Sequence, residues 1–263
     1  MTYRLSDFPS AGEMDPISLD EMKSVSLMNR TDTKYVTDTE HLKAVIDDAL
    51  AAGYRICEIS GQRMLDYSSV YYDTADLKMF TMHRNGKKIR QKVRVRTYLI
   101  DNVTFIEVKT KDNHGRTKKK RTRIQAETDA DPILSQAAAG FLAEKSWWKA
   151  SELLPETTTD FSRMTLVNRD MTERLTIDTN LHFRNFRSGI CAEAGNLVII
   201  ELKQDGKTYS QMKEILLRHR IFPYRLSKYC VAVSLTDPSA RPGRFREKIQ
   251  HIEKIINIKL IKR

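Results

Sequence analysis

The chain has 263 residues, with 45 Lys and Arg against 34 Asp and Glu, giving a formal net charge of +11. Its 40% hydrophobic content suffices for a core, so it reads as one large domain with appendages rather than a disordered polybasic chain. The positive balance favours phosphate-rich partners: nucleotide, inorganic polyphosphate, nucleic acid or an anionic membrane surface.

Residues 1–24 are polar, contain Pro9 and Pro16, and read as a loose arm or a short packed helix. They show no basic segment followed by an apolar run, so no secretory leader is expected. Nowhere does the chain approach about 18 consecutive apolar residues, and the expectation is a soluble, cytoplasmic protein. The main domain is expected over 25–235. A strand at 29–36 leads to an amphipathic helix at 39–52, where Leu42, Val45, Ile46, Ala49 and Leu50 share a stripe and Gly53 supplies the stop. A strand at 68–72 follows, and 77–84 suits helix or strand. Asn85-Gly86 is a hairpin signal into a basic strand at 88–98, and strands at 103–111 and 117–125 complete a meander. Pro132, after a capping Asp131, opens a helix to about Trp148. A linker at 153–159 precedes strands at 160–167, 173–178, 181–187 and 197–203. A helix at 210–220, a strand at 224–235 and a basic amphipathic helix within 236–263 end the chain. Cys57, Cys191 and Cys230 are odd in number and show no CxxC spacing, which points away from disulfides and zinc.

Several strands carry their charges on one face. Side chains alternate along a strand, so Arg90, Lys92, Arg94 and Arg96 share a face opposite Val93 and Val95. Glu107, Lys109 and Lys111 oppose Ile106 and Val108; Arg174, Thr176 and Asp178 oppose Leu175 and Ile177; Glu201 and Lys203 oppose Val198, Ile200 and Leu202. One such strand would be a half-buried sheet with a solvated face. Four of them predict an α+β fold: a closed antiparallel β-barrel of about eight strands, a basic tunnel inside and helices packed outside. Such a tunnel would bind a polyanion.

Ordered motifs from about Arg30 to Val233 carry a resemblance. They are Thr33-Lys34-Tyr35, Tyr71-Tyr72-Asp73-Thr74 followed by Arg84, Arg94-Val-Arg96-Thr-Tyr98, and Glu107-Val-Lys109-Thr. Phe161-Ser-Arg163, Arg174-Leu-Thr-Ile-Asp178, Glu201-Leu-Lys203 and Leu226-Ser227-Lys228-Tyr229 complete the series. Together they resemble the VTC domain, the polyphosphate polymerase branch of the triphosphate tunnel superfamily. The related CYTH enzymes open with Glu-x-Glu-x-Lys, and Thr31 and Thr33 are read as standing where those glutamates would be.

The resemblance implies transfer of the γ-phosphoryl of ATP to a growing polyphosphate chain, with divalent Mn²⁺ or Mg²⁺ held by Glu201. It implies Lys34, Arg94, Arg96, Lys109 and Arg174 as catalytic residues. Arg84, Arg163, Lys203, Ser227 and Lys228 are implied as substrate-binding. A triphosphate presents oxygens on all sides, and converging Arg forks and Lys point charges match it. Arg90 and Lys92 fit a tunnel entrance or a solvated end, Glu107 a metal or a salt bridge, and Asp178 an arginine partner. Removing a tunnel charge, as in Arg94→Ala, is expected to abolish activity and leave the fold intact. The terminal helix, with Ile249, Ile252, Ile255 and Ile256 among cations, suits a separate membrane protein partner, an anionic membrane or its own barrel. Competing readings are a hydrolase of tripolyphosphate or nucleoside triphosphates and a non-catalytic polyphosphate-binding module. Nucleic acid is disfavoured, because no aromatic residues interleave the basic faces.

Overall fold

The computed structural model describes residues 2–23, 30–125, 131–206 and 208–260. In chain order the elements are α1 (Pro9–Glu13), β1 (Pro16–Ile17), α2 (Leu19–Lys23), β2 (Arg30–Asp38), α3 (Thr39–Ala51) and β3 (Arg55–Cys57). Next come β4 (Leu65–Asp73), α4 (Lys78–Arg84), β5 (Arg90–Tyr98), β6 (Val103–Lys111), β7 (Thr117–Ile124) and α5 (Gln136–Lys145). The rest are β8 (Leu154–Val167), β9 (Glu173–Asn185), β10 (Cys191–Glu193), β11 (Leu197–Asp205), α6 (Gln211–Arg218), α7 (Lys228–Thr236) and α8 (Arg244–Ile256). Asn29, expected to start the first strand, and 261–263 of the tail lie outside the described residues.

The main sheet runs β2-β11-β9-β8-β4-β5-β6-β7 and is antiparallel along this path. It curls strongly enough for Lys109 of β6 to feel the charges of Glu201 on β11 and Lys34 on β2. Yet β2 and β7 are not paired among the described residues, so the expected closed barrel is an open one. The reason lies in β7, whose Lys118, Lys119, Lys120 and Arg121 charge both faces and leave it exposed, as an edge strand tolerates and a seam does not. At the β2 end, irregular chain lies along the strand. Tyr224 N donates to Lys34 O (2.6 Å), Tyr35 bridges Pro223, and Lys34 Nζ donates to Leu226 O (3.3 Å).

The convex face is apolar and covered by helices. α3 begins at Asp38, whose carboxylate accepts from His41 N, and buries Leu42, Val45, Ile46 and Ala49. With Met212, Ile215 and Leu216 of α6 they pack on Leu175, Ile177, Val198, Ile200 and Leu202. Ala138 and Leu142 of α5 join Val93, Val95, Ile106 and Val108 in a second cluster. The N-terminal arm is no loose tail, because Phe8, Ala11 and Met14 are buried in the first cluster.

Three other expectations change. The linker at 153–159 is the first half of β8, and the strands at 173–178 and 181–187 are one strand, β9. The strand expected at 224–235 is helix α7, capped by Ser227, whose hydroxyl accepts from Cys230 N. It is buried on most sides, so it lacks the one-sided apolar period of a surface helix, and its valines mimic a strand. Val231 and Ala232 of α7, with Ile252 and Ile256 of α8, fill part of the sheet's concave side against Val36, Leu197, Ile199, Phe161 and Phe183. The remaining concave surface is charged.

Candidate anion-binding site on the concave face

Strand register places the cations. Lys92 pairs with Lys109, which pairs with Lys119; Glu201 pairs with Lys34 and Thr176; Lys203 pairs with Arg174 and Asp32; Arg163 pairs with Asp178. Alternation then turns these charges to the face opposite the apolar clusters.

Buried carboxylates hold some of the cations. Arg94 donates through Nε to Glu107 Oε2 (2.7 Å) and through a terminal nitrogen to the Tyr71 hydroxyl (3.0 Å), while Lys119 Nζ reaches Glu107 Oε1 (2.9 Å). Arg163 forks onto Asp178 at 2.5 and 2.9 Å, and Lys228 bonds the same carboxylate. Lys203 Nζ stands 3.3 Å from Glu201 Oε1. Among the described residues Arg96 makes no ion pair: its Nε donates to Ser69 Oγ (3.0 Å), and its guanidinium lies over the rings of Tyr67 and Phe161. Lys92 Nζ donates to Ser227 Oγ (3.1 Å) at the N-terminus of α7.

Crowding shifts the titrations. Burial pushes the Glu201 carboxyl up, but Lys203, Lys34, Lys109 and Arg163 outweigh it and keep it well below the usual carboxylate range. Glu107 and Asp178 are likewise held low against burial, by Arg94, Arg96 and Lys119 in one case and by Arg163 and Lys228 in the other. Lys109 is lowered well below an ordinary lysine by Arg94 and by burial. Burial brings Lys92 and Lys228 each down to about 8 and, with Arg94 and Arg163 adding to it, Arg96 to about 10. Burial alone would raise the Tyr71 phenol, but Arg94, Arg96, Lys92 and Lys228 bring it down to about 8. Positive charge is in excess, as a waiting anion site requires.

The structure therefore gathers Lys34, Arg94, Arg96, Lys109, Arg163, Arg174, Lys203, Ser227, Lys228 and Glu201 on one face. It does not gather Arg84, whose hydrogen bonds go to Arg241 O (3.1 Å) and Asn85 Oδ1 (3.2 Å) beyond the end of α4. Sequence reading missed Tyr71 and Lys119 and left Lys92 open. It also misplaced the counterpart of the opening glutamates. Thr33 points outward with Tyr35 beside Lys213 and Leu217, so Asp32, two residues before Lys34, takes the Lys34 face and influences Lys203. Period two, applied strictly, finds it.

Among the described residues no group of three or more His, Cys, Asp or Glu could hold a metal. Glu201, ionised and joined by Asp32 on the next strand, suits a divalent ion whose remaining ligands are phosphate oxygens, which is how Mg²⁺ is commonly held.

The chain belongs to the VTC domain family, whose profile matches residues 29–236. Among solved structures, HpAC1 from Hippeastrum, described as an adenylyl cyclase candidate with a dominant triphosphatase activity, is 15% identical. The match covers 80% of this chain and 97% of that one with a TM-score of 0.49. A candidate adenylate cyclase from Vibrio parahaemolyticus is 9% identical over 77% of this chain and 96% of its own, with a TM-score of 0.45. The PH1819 protein of Pyrococcus horikoshii is 12% identical over 78% and 98%, with a TM-score of 0.42. No curated protein matches the chain.

Proposed function

We propose that the protein is a polyphosphate polymerase that transfers the γ-phosphoryl group of ATP to the end of an inorganic polyphosphate chain and releases ADP. The observation that carries this reading is the convergence of buried and half-buried cations from β2, β5, β6, β8, β9 and β11 on one face. Arg94, Arg96 and Arg163 offer forks, and Lys34, Lys109 and Lys203 offer point charges, so a triphosphate is gripped from several sides. The terminal oxygen of the acceptor chain forms a bond to the γ-phosphorus. The bond from that phosphorus to the β–γ bridging oxygen breaks, and its electron pair leaves with ADP. No side-chain nucleophile is required, and positioning with charge neutralisation supplies most of the catalysis.

A divalent ion on Glu201 and Asp32, Mn²⁺ or Mg²⁺, would neutralise charge on the phosphates. The buried carboxylates favour transfer over hydrolysis. Glu107, Asp178 and Glu201 are all held low by cations, and a water-activating base works best with a pKa near the working pH.

The deciding experiment is incubation with ATP and Mn²⁺ or Mg²⁺, with polyphosphate read on a stained gel and ADP and free phosphate quantified. Chains with stoichiometric ADP are expected. Free phosphate without chains would make the protein a hydrolase, and neither product would leave a binding module.

A further inference from the structure

Beyond Lys92 the charged face continues to a rim that the triphosphate grip does not use. Arg90, the first residue of β5, pairs with Lys111, the last of β6. Four residues separate Arg90 from Arg94, about 13 Å along a strand. From the other side, α8 and the segment before α7 close on the same place. Arg244 donates to His83 O (2.5 Å) and lies against Gly86, while Lys248 Nζ donates to Arg225 O (2.8 Å) and sits over the Tyr224 ring.

Arg90, Lys111, Arg225, Arg244 and Lys248 thus form one cationic cluster, and among the described residues none of them makes an ion pair. Asp112 offsets Lys111. After burial, what depresses Arg90, Lys111 and Lys248 is this set of neighbours: Arg244 for Arg90, Arg90 and Arg225 for Lys111, Arg244 and Arg225 for Lys248.

A second, independent feature marks the place. His83 is only 7% exposed, and its Nε2 has no hydrogen-bond partner. Burial, followed by Lys92, Arg90, Arg244 and Lys111, keeps the ring neutral, so it adds no charge to a place already crowded with cations. Crowded like charges are costly in an empty protein, and a bound anion relieves them.

We propose that this rim is a second polyanion subsite, which holds the part of a linear polyphosphate chain lying outside the triphosphate grip, with Lys92 linking the two. The inference rests on the polyphosphate reading and extends it: the preferred ligand is a chain longer than a triphosphate. Held there, a growing chain stays attached between additions, so the rim governs product length rather than the transfer step.

The test compares binding of tripolyphosphate and of long-chain polyphosphate by the full chain and by the triple variant Lys111→Gln, Arg225→Gln, Lys248→Gln. The single variant Lys111→Glu, at a strand end, guards against misfolding of the triple. Wild type should bind the long chain more tightly, with a steeper salt dependence. The variants should weaken long-chain binding by about tenfold, leave tripolyphosphate binding unchanged, and shorten the product while ADP release persists. Wild type that binds both ligands equally, or variants that keep the long-chain preference, would overturn the rim subsite alone. Wild type that binds neither ligand would overturn the polymerase reading with it.

Discussion

Arg94 and Arg96 share one strand face, yet removing them should have different consequences. Arg94 neutralises Glu107, a carboxylate with 0% exposure, and only the Lys119 ion pair and the field of Arg96 would remain for it. Arg94→Ala should therefore cost about 3 kcal/mol of stability in urea unfolding, partly restored by adding Glu107→Gln. That revises the expectation that any tunnel charge can go without harm to the fold. Arg96 makes no ion pair among the described residues, Glu107 keeps Arg94 and Lys119 without it, and it is itself lowered by burial and then by Arg94 and Arg163, so Arg96→Met should lose triphosphate affinity with stability unchanged or raised. A fall in stability matching that of Arg94→Ala would sink this distinction. The same crowding sets the pH response. Lys92, Lys228 and Tyr71 all titrate near 8 in the folded chain, below their ordinary 10.5, 10.5 and 10.0. Above about pH 8 the unfolded chain holds protons that the folded chain has lost, so stability rises with pH. Burial raises the thiols of Cys57 and Cys230, which act in the opposite sense from about pH 9 upward. Each lost proton also removes positive charge from the face. Between about pH 8 and 9 the ligand-free Tm should rise while tripolyphosphate affinity falls; parallel movement of the two would contradict the assignment.

At the scale of elements, motif residues prove to do two kinds of work. Within Tyr71-Tyr72-Asp73-Thr74, Tyr71 faces the cations, but Asp73 is a scaffold. Its carboxylate accepts from the backbone of Thr74, Met79 and Phe80 and from the Tyr229 hydroxyl, fixing α4 and α7 together. Asp73→Ala should cost about 2–4 kcal/mol by chemical denaturation, with ADP release per folded molecule retained at low temperature. Lost turnover at unchanged stability would instead move Asp73 into the site. Alternation made β5, β6, β9 and β11 legible, because a strand's charged face is written in every second letter. α7 was not legible: its partners surround it, and a helix buried on most sides has no period to read. Arg84 shows the converse limit, since its place in the motif order says nothing of the loop at Arg241 that claims its guanidinium.

For the whole molecule, the inside-out distribution of charge could be read from the sequence, but closure could not. Which strands end the sheet depends on β7, whose cations on both faces are a local signal, and on 223–226 bonding along β2, which has none. The terminal helix raises the same question of where an apolar stripe finds its cover. Its isoleucines among lysines suited a membrane protein, an anionic membrane or its own barrel, and the fold supplies the last. Ile249 and Ile252 are fully buried and Ile256 nearly so, with Ile252 and Ile256 packed on Val36, Leu197 and Ile199, while Phe245 packs near Phe80 and Tyr229. α8 is thus part of the wall, and it also delivers Arg244 and Lys248 to the rim. Ile252→Ala should lower stability by about 2–4 kcal/mol, as truncation in a packed core does. Were α8 a helix reserved for a partner, the same substitution would leave the Tm of the isolated protein where it was and weaken only vesicle binding.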